Sequence, residues 1–238
     1  MVIYNPWPIG NVPDYLRRPE LEILKTKYVF NDPRDVIDLF ENKVKEFTGS
    51  RYALAVDCCT HALELCLRYK IAIGEIDYGS SIAIPENTYI SVPMTITKLG
   101  LKYKLLPTKW SGIYPLICSG LEVIDAAVRW KEGMYLEHSM MCLSFQIKKR
   151  IPIGRGGMIL LDNLKAYEAI KLMRYDGRDL DTPYDSDDHI KSFGYHYYMT
   201  PETAKLGLEK LPEAIETEPR QWVVSDWPDL TQMKIFNT

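Results

Sequence analysis

Residues 52–69 read YALAVDCCTHALELCLRY, and this stretch decides the fold. The run YALAVD has the composition of a short buried strand, and THALELCLRY, residues 60–69, reads as a helix. Working outward, the same alternation returns. Residues 81–85 read as a strand, followed by a helix from about Thr88 that ends before Gly100. Further strands are expected at 102–106, 121–124, 140–145 and 156–161, the last followed by a helix from Asp162 to about Arg174 and a stop at Gly177. Strands alternating with helices argue for an α/β fold, a mostly parallel sheet with helices packed on its faces.

Before this region, Asp32-Pro33 is an N-cap followed by proline in the first turn. It opens a predicted helix running to Gly49, with Val36, Leu39, Phe40, Val44 and Phe47 as its apolar stripe. Residues 1–32 are rich in proline and turns and read as a surface arm. Residues 33–177 form the expected α/β core, and 178–238 a C-terminal segment packed on it. Within that segment 178–192 is polar and acidic, a loop; Thr200-Pro201-Glu202 caps one more helix, TAKLGLEKL; and the tail from Pro212 shows no clear period.

Composition narrows the function classes. The chain has 238 residues, 46% of them hydrophobic, enough for a sizeable core. Its 29 Lys+Arg against 32 Asp+Glu give a net charge of -3, which supplies no electrostatic footprint for nucleic acid or an anionic membrane. Five cysteines without a CxxC pair argue against a disulfide framework. No basic-then-apolar leader opens the chain and no apolar run is long enough for a bilayer, so a cytoplasmic protein is expected.

In open α/β sheets ligands gather at the carboxyl ends of strands. Four such ends carry chemistry: Cys58-Cys59-Thr60 after the first strand, Glu86-Asn87-Thr88-Tyr89 after the second, Asp125 after LEVI, and Ser144-Phe145-Gln146-Ile147-Lys148-Lys149 after MMCL, with a glycine turn at 154–157. Each has a plainer reading. Thr60 and Asp125 serve as helix caps, Tyr89 as packing, Lys148 and Lys149 as surface charges, and GRGG as a hairpin turn. Cys58, Cys59 and His61 do not suit a closed zinc site, because adjacent cysteines lack the ligand spacing. The DSDDH run at 185–189 lacks the glycine and terminal glutamate of a calcium loop.

The order and spacing of the set resemble the DegT/DnrJ/EryC1/StrS family of sugar aminotransferases, pyridoxal-phosphate (PLP) enzymes of the aspartate-aminotransferase fold (fold type I). SFQIKKRIPIGRGG, residues 144–157, is similar without a gap to the family's SFxxxK-x4-GEGG segment. That alignment implies Lys149, not Lys148, as the Schiff-base lysine. AVDCCTHALEL resembles VxSGTxAL, which implies Cys59 and Thr60 at the cofactor phosphate. PENTY implies Tyr89 on the face of the ring, and VIDAA implies Asp125 on the pyridine nitrogen. Ser144 joins the phosphate set. LMRYDGR is similar to the LRxHG stretch, and Phe40-Glu41 to the FE pair that precedes the first motif. FGYHYYM, residues 193–199, is similar to GYNYRM, which implies His196 at the phosphate of a neighbouring subunit.

Several positions differ from the family pattern. Cys58 and Cys59 replace serine and glycine, Val128 a glutamine, Arg155 the glutamate of the glycine turn, and His196 and Tyr198 an asparagine and an arginine. Only fifteen residues separate Pro107 from Val123, and 27 follow Leu211, so the resemblance implies a reduced large domain with the small C-terminal domain largely missing. The implied activity is amino transfer from an amino acid, glutamate by the family's habit, to a keto-sugar nucleotide. It would run with PLP on Lys149, in a homodimer that shares its active sites. The alternatives are a non-catalytic binder of PLP or sugar nucleotide on the same fold, and an aminotransferase with a bulkier acceptor.

Overall fold

The computed structural model describes residues 34–182, 186 and 188–236. The arm expected at 1–32, the cap at Asp32-Pro33 and part of the 185–189 run lie outside them. Helix α1 spans Asp35–Thr48 and stops at Gly49, whose φ of 78° is the left-handed turn that glycine takes without strain. Its buried face is Val36, Ile37, Phe40, Glu41, Val44 and Thr48. Leu39 and Phe47 of the expected stripe lie at its half-buried margins.

There follow β1 (Tyr52–Val56), α2 (Cys59–Ala72), β2 (Ser81–Pro85), α3 (Ser91–Lys98), β3 (Lys102–Leu106), β4 (Tyr114–Pro115) and β5 (Val123–Asp125). The chain continues through β6 (Met140–Ser144), β7 (Gly157–Leu161), α4 (Leu164–Met173) and α5 (Pro201–Glu216). Five strands form one sheet in the order β1-β7-β6-β5-β4, while β2 and β3 pair separately. Reciprocal hydrogen bonds between Ala83 and Ile117, 2.8 and 2.9 Å, join the β2–β3 pair to the chain just beyond β4.

The α/β class holds, but the sheet is mixed where a mostly parallel one was expected. β5–β6 and β2–β3 are parallel; β1–β7, β6–β7 and β4–β5 are antiparallel. The cause is the connection between β6 and β7. Residues 145–156 form a loop without a crossover helix, and a direct return of that kind can only pair strands antiparallel. β7 therefore runs against both neighbours.

Both faces of the sheet are buried, and the side chains divide with a period of two. Leu54, Val56, Met140, Cys142, Ile159 and Leu161 pack with α2, α3 and α4. Ala53, Ala55, Met141, Leu143, Met158 and Leu160 pack with α1 and α5. A buried ion pair pins α1 and the end of α4 to β1. Glu41 Oε1 accepts the Ala55 N–H at 2.7 Å and pairs with Arg174, whose Nη1 donates to the Ala55 carbonyl at 2.7 Å. Burial pushes the Glu41 carboxyl up, and Arg174 draws it back.

Helix α5 starts at Thr200, whose hydroxyl accepts the Thr203 N–H, and runs through Pro212 to Glu216. The tail beyond it is ordered by 3-10 turns at Val224–Asp226, Leu230–Gln232 and Lys234–Phe236, which leave no helical or strand period to read. Among the described residues no helix is long and apolar enough to cross a membrane.

Candidate active site

The carboxyl ends of β1, β2, β5 and β6 open onto one cavity of about 790 Å³. At the end of β1 the chain turns into α2. Cys58 is the N-cap: its Sγ accepts the His61 N–H at 3.5 Å. Thr60 is thus not the cap but lies inside the first turn, its hydroxyl 2.8 Å from that of Ser91 at the start of α3. The Cys59 side chain turns inward, its thiol donating to the Cys142 carbonyl at 3.5 Å, and burial pushes that thiol well up. Gly157 permits the close approach of β7 here. A Cβ on it would lie 2.5 Å from the Cys58 carbonyl carbon and 2.6 Å from the Cys59 nitrogen, and neither is a side chain that can give way.

Asp125 ends β5 as a buried carboxylate. One oxygen accepts the Ala127 N–H at 2.9 Å, the other the Tyr114 hydroxyl at 2.7 Å. Thr88 is bonded in turn to that hydroxyl. Burial drives the Asp125 carboxyl up, while Ala127, Tyr114 and the charge of Lys149 hold it back. Tyr114 and Thr88 thus fix the orientation of Asp125. Tyr114 carried no sequence signal, because β4 is two residues long and ends in proline.

Lys149 rides on the loop between β6 and β7, in a turn closed by its N–H to the Gln146 carbonyl at 2.7 Å. The two-part spacing of residues 144–157 is therefore a hairpin loop that lifts a lysine over the strand ends. Lys149 is half-buried, whereas Lys148 is exposed. The Lys149 ammonium lies 4.5 Å from the ring centre of Trp227 and 4.9 Å from that of Trp222. Burial lowers its pKa below the usual lysine value, and Asp125 and Cys59 oppose that shift. Ser144, partly buried, accepts the Gln146 N–H at 3.4 Å. Tyr89 is 53% exposed on the opposite wall, edge-on to Trp227 with ring centres 6.4 Å apart.

Cys59, Thr60, Tyr89, Asp125, Ser144 and Lys149 all line this cavity. His196 does not. Its side chain is 71% exposed on the outer surface, paired with Asp176 at 2.9 Å. Sequence reasoning also missed the tail. Arg220, Trp222, Asp226 and Trp227 close one side of the cavity, and Trp110, Trp227 and Trp222 form a row with successive ring centres 5.8 and 5.7 Å apart. The Trp227 indole N–H is buried without a partner among the described residues, a loss of about 1–3 kcal/mol that a ligand oxygen would relieve.

Two cations stand beside the first turn of α2. Arg155 Nη2 is 2.7 Å from Asp57 Oδ2, and His61 Nδ1 is 2.6 Å from Asp57 Oδ1. His61 also stacks on Tyr197 at 3.6 Å. Burial disfavours the imidazolium, but the Asp57 hydrogen bond and Cys58 outweigh it and raise the His61 pKa to about 9. Asp57, Cys58 and His61 offer ligand atoms within 4.8 Å of one another. With Asp57 already shared between a guanidinium and an imidazole, this corner suits an anion better than a metal ion.

Known proteins share this fold. GDP-perosamine synthase of Caulobacter vibrioides is 25% identical over 248 residues, 87% of this chain and 63% of that protein. The crystal structure of 3-amino-5-hydroxybenzoic acid synthase superposes with a TM-score of 0.65 at 20% identity, covering 86% of this chain and 64% of that one. The sugar aminotransferase CalS13 from Micromonospora echinospora gives 0.63 at 14% identity, covering 87% and 68%. The fold is that of the PLP-dependent fold type I aminotransferases, and the chain spans about three fifths of the length of the curated relatives it matches. The profile of the DegT/DnrJ/EryC1/StrS aminotransferase family matches residues 21–106 and 134–222, and the chain belongs to that family.

Proposed function

We propose that this chain is a PLP-dependent aminotransferase that moves an amino group from an amino acid, glutamate in the first instance, to a keto-sugar nucleotide. The observation that carries the reading is one lysine of lowered pKa facing one buried, doubly hydrogen-bonded carboxylate across a cavity whose floor is a helix N-terminus. A cavity of about 790 Å³ is ample for the cofactor, and the donor set suits its parts. The α2 N-terminus with Cys59, Thr60 and Ser144 would hold the phosphate, Tyr89 would cover the ring, and Asp125 would meet the pyridine nitrogen. When bound, PLP supplies the electron-accepting ring that takes up and returns the amino group.

The chain's own residues account for the remaining chemistry. Burial raises the neutral share of Lys149, and only the neutral amine attacks a carbonyl or accepts a proton at Nζ. Tyr114 and the Ala127 N–H both donate to Asp125 and favour its anionic form against burial; as a carboxylate it would hold a proton on a nitrogen facing it. Residues 33–177 would be the cofactor-binding unit and 178–238 its cover. Exposed on the outer surface, His196 would reach a phosphate only across a dimer interface.

Mixing the protein with PLP should give a visible absorption band, and borohydride should then fix a pyridoxyl mass on the peptide containing Lys149. Mass on Lys148, or no label, overturns the assignment. Glutamate should shift the band to that of the amine form; a protein that keeps PLP but never shifts with any amino donor is a binding protein of the same fold.

A further inference from the structure

The five cysteines stand in different surroundings. Cys66 and Cys142 are fully buried, and burial pushes the thiols of Cys59 and Cys142 well up. Cys118 is half-buried outside the main cavity. Cys58 is half-buried on the cavity wall, and donors from two elements converge on its sulfur. The His61 N–H, in the first turn of α2, donates to Sγ at 3.5 Å, and Arg155 Nη2, from the glycine turn before β7, at 3.9 Å. The His61 ring and the Asp57 carboxylate complete the group, with one polar atom of each of Asp57, Cys58 and His61 within 4.8 Å of the others.

We propose that Cys58 is a nucleophilic thiol that hydrogen peroxide oxidises to a sulfenic acid, with His61 as the proton donor and Asp57 as its orienter. The site uses neither Lys149 nor PLP. Cys58 and Arg155 stand where the family pattern has serine and glutamate, so the sulfur and the cation beside it are this chain's own.

Thiols attack as thiolates, and reactive ones lie partly exposed at helix N-termini, beside arginine or imidazolium. Cys58 meets each of these conditions in one place. His61 cannot turn away from it, because Nδ1 is held by Asp57 Oδ1 at 2.6 Å and the ring stacks on Tyr197 at 3.6 Å. With a pKa of about 9, His61 is an imidazolium at neutral pH and has a proton to give. Asp57 balances the second cation as well, accepting from Arg155 at 2.7 Å. Such a group suits an electrophile whose leaving group is a small anion in need of a proton, and peroxide releases hydroxide.

In the reaction the Cys58 thiolate attacks one peroxide oxygen, and an S–O bond forms as the O–O bond breaks. The departing hydroxide takes the proton from His61 and leaves as water; the sulfur gives up two electrons and the peroxide gains them. His61 is reprotonated from solvent. Cys59 follows directly in the chain, but its thiol is turned to the Cys142 carbonyl. The sulfenic acid is therefore left for a soluble thiol, whose sulfur attacks that of Cys58 and expels water to give a mixed disulfide.

The test is peptide mass spectrometry of the full chain, free of PLP, after treatment with hydrogen peroxide and dimedone, which adds to sulfenic acids. Label should appear on Cys58 about tenfold faster than on Cys118, and glutathione in place of dimedone should give a mixed disulfide at Cys58. His61→Gln and Arg155→Gln should each slow the labelling about tenfold, while Arg155→Lys keeps a cation and most of the rate. Arg155 is exposed, so its variants should fold, and thermal unfolding checks all three. Label that falls on Cys59, or that reaches Cys118 as fast as Cys58, overturns the proposal. So does a Cys58 rate unmoved in both glutamine variants, or one that rises in Arg155→Gln, the sign of an arginine that merely covers the sulfur. Because PLP is absent throughout, the outcome is independent of the aminotransferase reading.

Discussion

Lys149 is held between opposing influences. Burial disfavours its charge, while Asp125 and the ring faces of Trp222 and Trp227 favour it. The balance falls below the ordinary lysine value of about 10.4, so in the folded protein the amine gives up its proton at a lower pH than in the unfolded chain. Between those two values the unfolded chain binds more protons, and the contribution of this group to stability grows as pH rises through that window. Asp125→Asn removes the larger of the two neighbouring influences that raise the pKa, Asp125 and Cys59, and leaves the burial in place. The midpoint of Lys149 acylation in the PLP-free protein, measured by competitive anhydride labelling and mass spectrometry across pH, should move further down. A midpoint that moves up would mean that Asp125 does not act on this amine through its charge. At this scale the sequence was legible where a residue type is tied to a strand end, as Asp125 and Lys149 are. It was misleading at Thr60, because Cys58 two residues earlier takes the cap with its sulfur.

Among the elements, β1 was the easiest to read and is the most firmly tied. Glu41 from α1 and Arg174 from the end of α4 grip the N–H and the carbonyl of a single residue, Ala55. The FE and LRxHG matches thus mark two halves of one buried ion pair. Arg174→Leu leaves Glu41 charged and unpaired, with a cost of about 3–5 kcal/mol, whereas Glu41→Leu with Arg174→Leu together should cost less than the single change. Urea unfolding of the three variants checks this; a double variant less stable than Arg174→Leu would show that the pair is worth more than its desolvation. The strand Ser81–Pro85 was found at its true bounds because it is a short, largely buried apolar run between turn residues. Strand direction was not visible. Periodicity records which residues are buried, not whether the chain returns through a helix or a hairpin, and the loop at 145–156 decides that. The two-residue β4 is too short to have a period at all, and Tyr114, which it places on Asp125, went unseen with it.

At the scale of the whole molecule, the cavity wall is supplied by a tail that is anchored elsewhere. Leu230 is fully buried, and its N–H donates to the Glu86 carbonyl at 2.9 Å. Phe236 sits edge-on to Tyr103 at 6.3 Å, and the Tyr103 hydroxyl donates to its carbonyl at 3.3 Å. These contacts fasten the tail to the loop after β2 and to β3, and the segment between α5 and Leu230 carries Trp222 and Trp227 across to Lys149. The sheet and its two cores do not depend on that span, so its loss should be local. Leu230→Ala removes the anchor at about 2–5 kcal/mol, enough to detach the tail while the strands stay folded. Tryptophan emission should shift to the red, trypsin should cut at Arg220 in the folded protein, and the Lys149 amine, now in water, should return towards the ordinary lysine value. The far-UV unfolding midpoint should fall much less than the fluorescence change implies. If both signals are instead lost together at one lowered temperature, the tail is part of the cooperative core, and the wall over Lys149 is as rigid as the sheet beneath it.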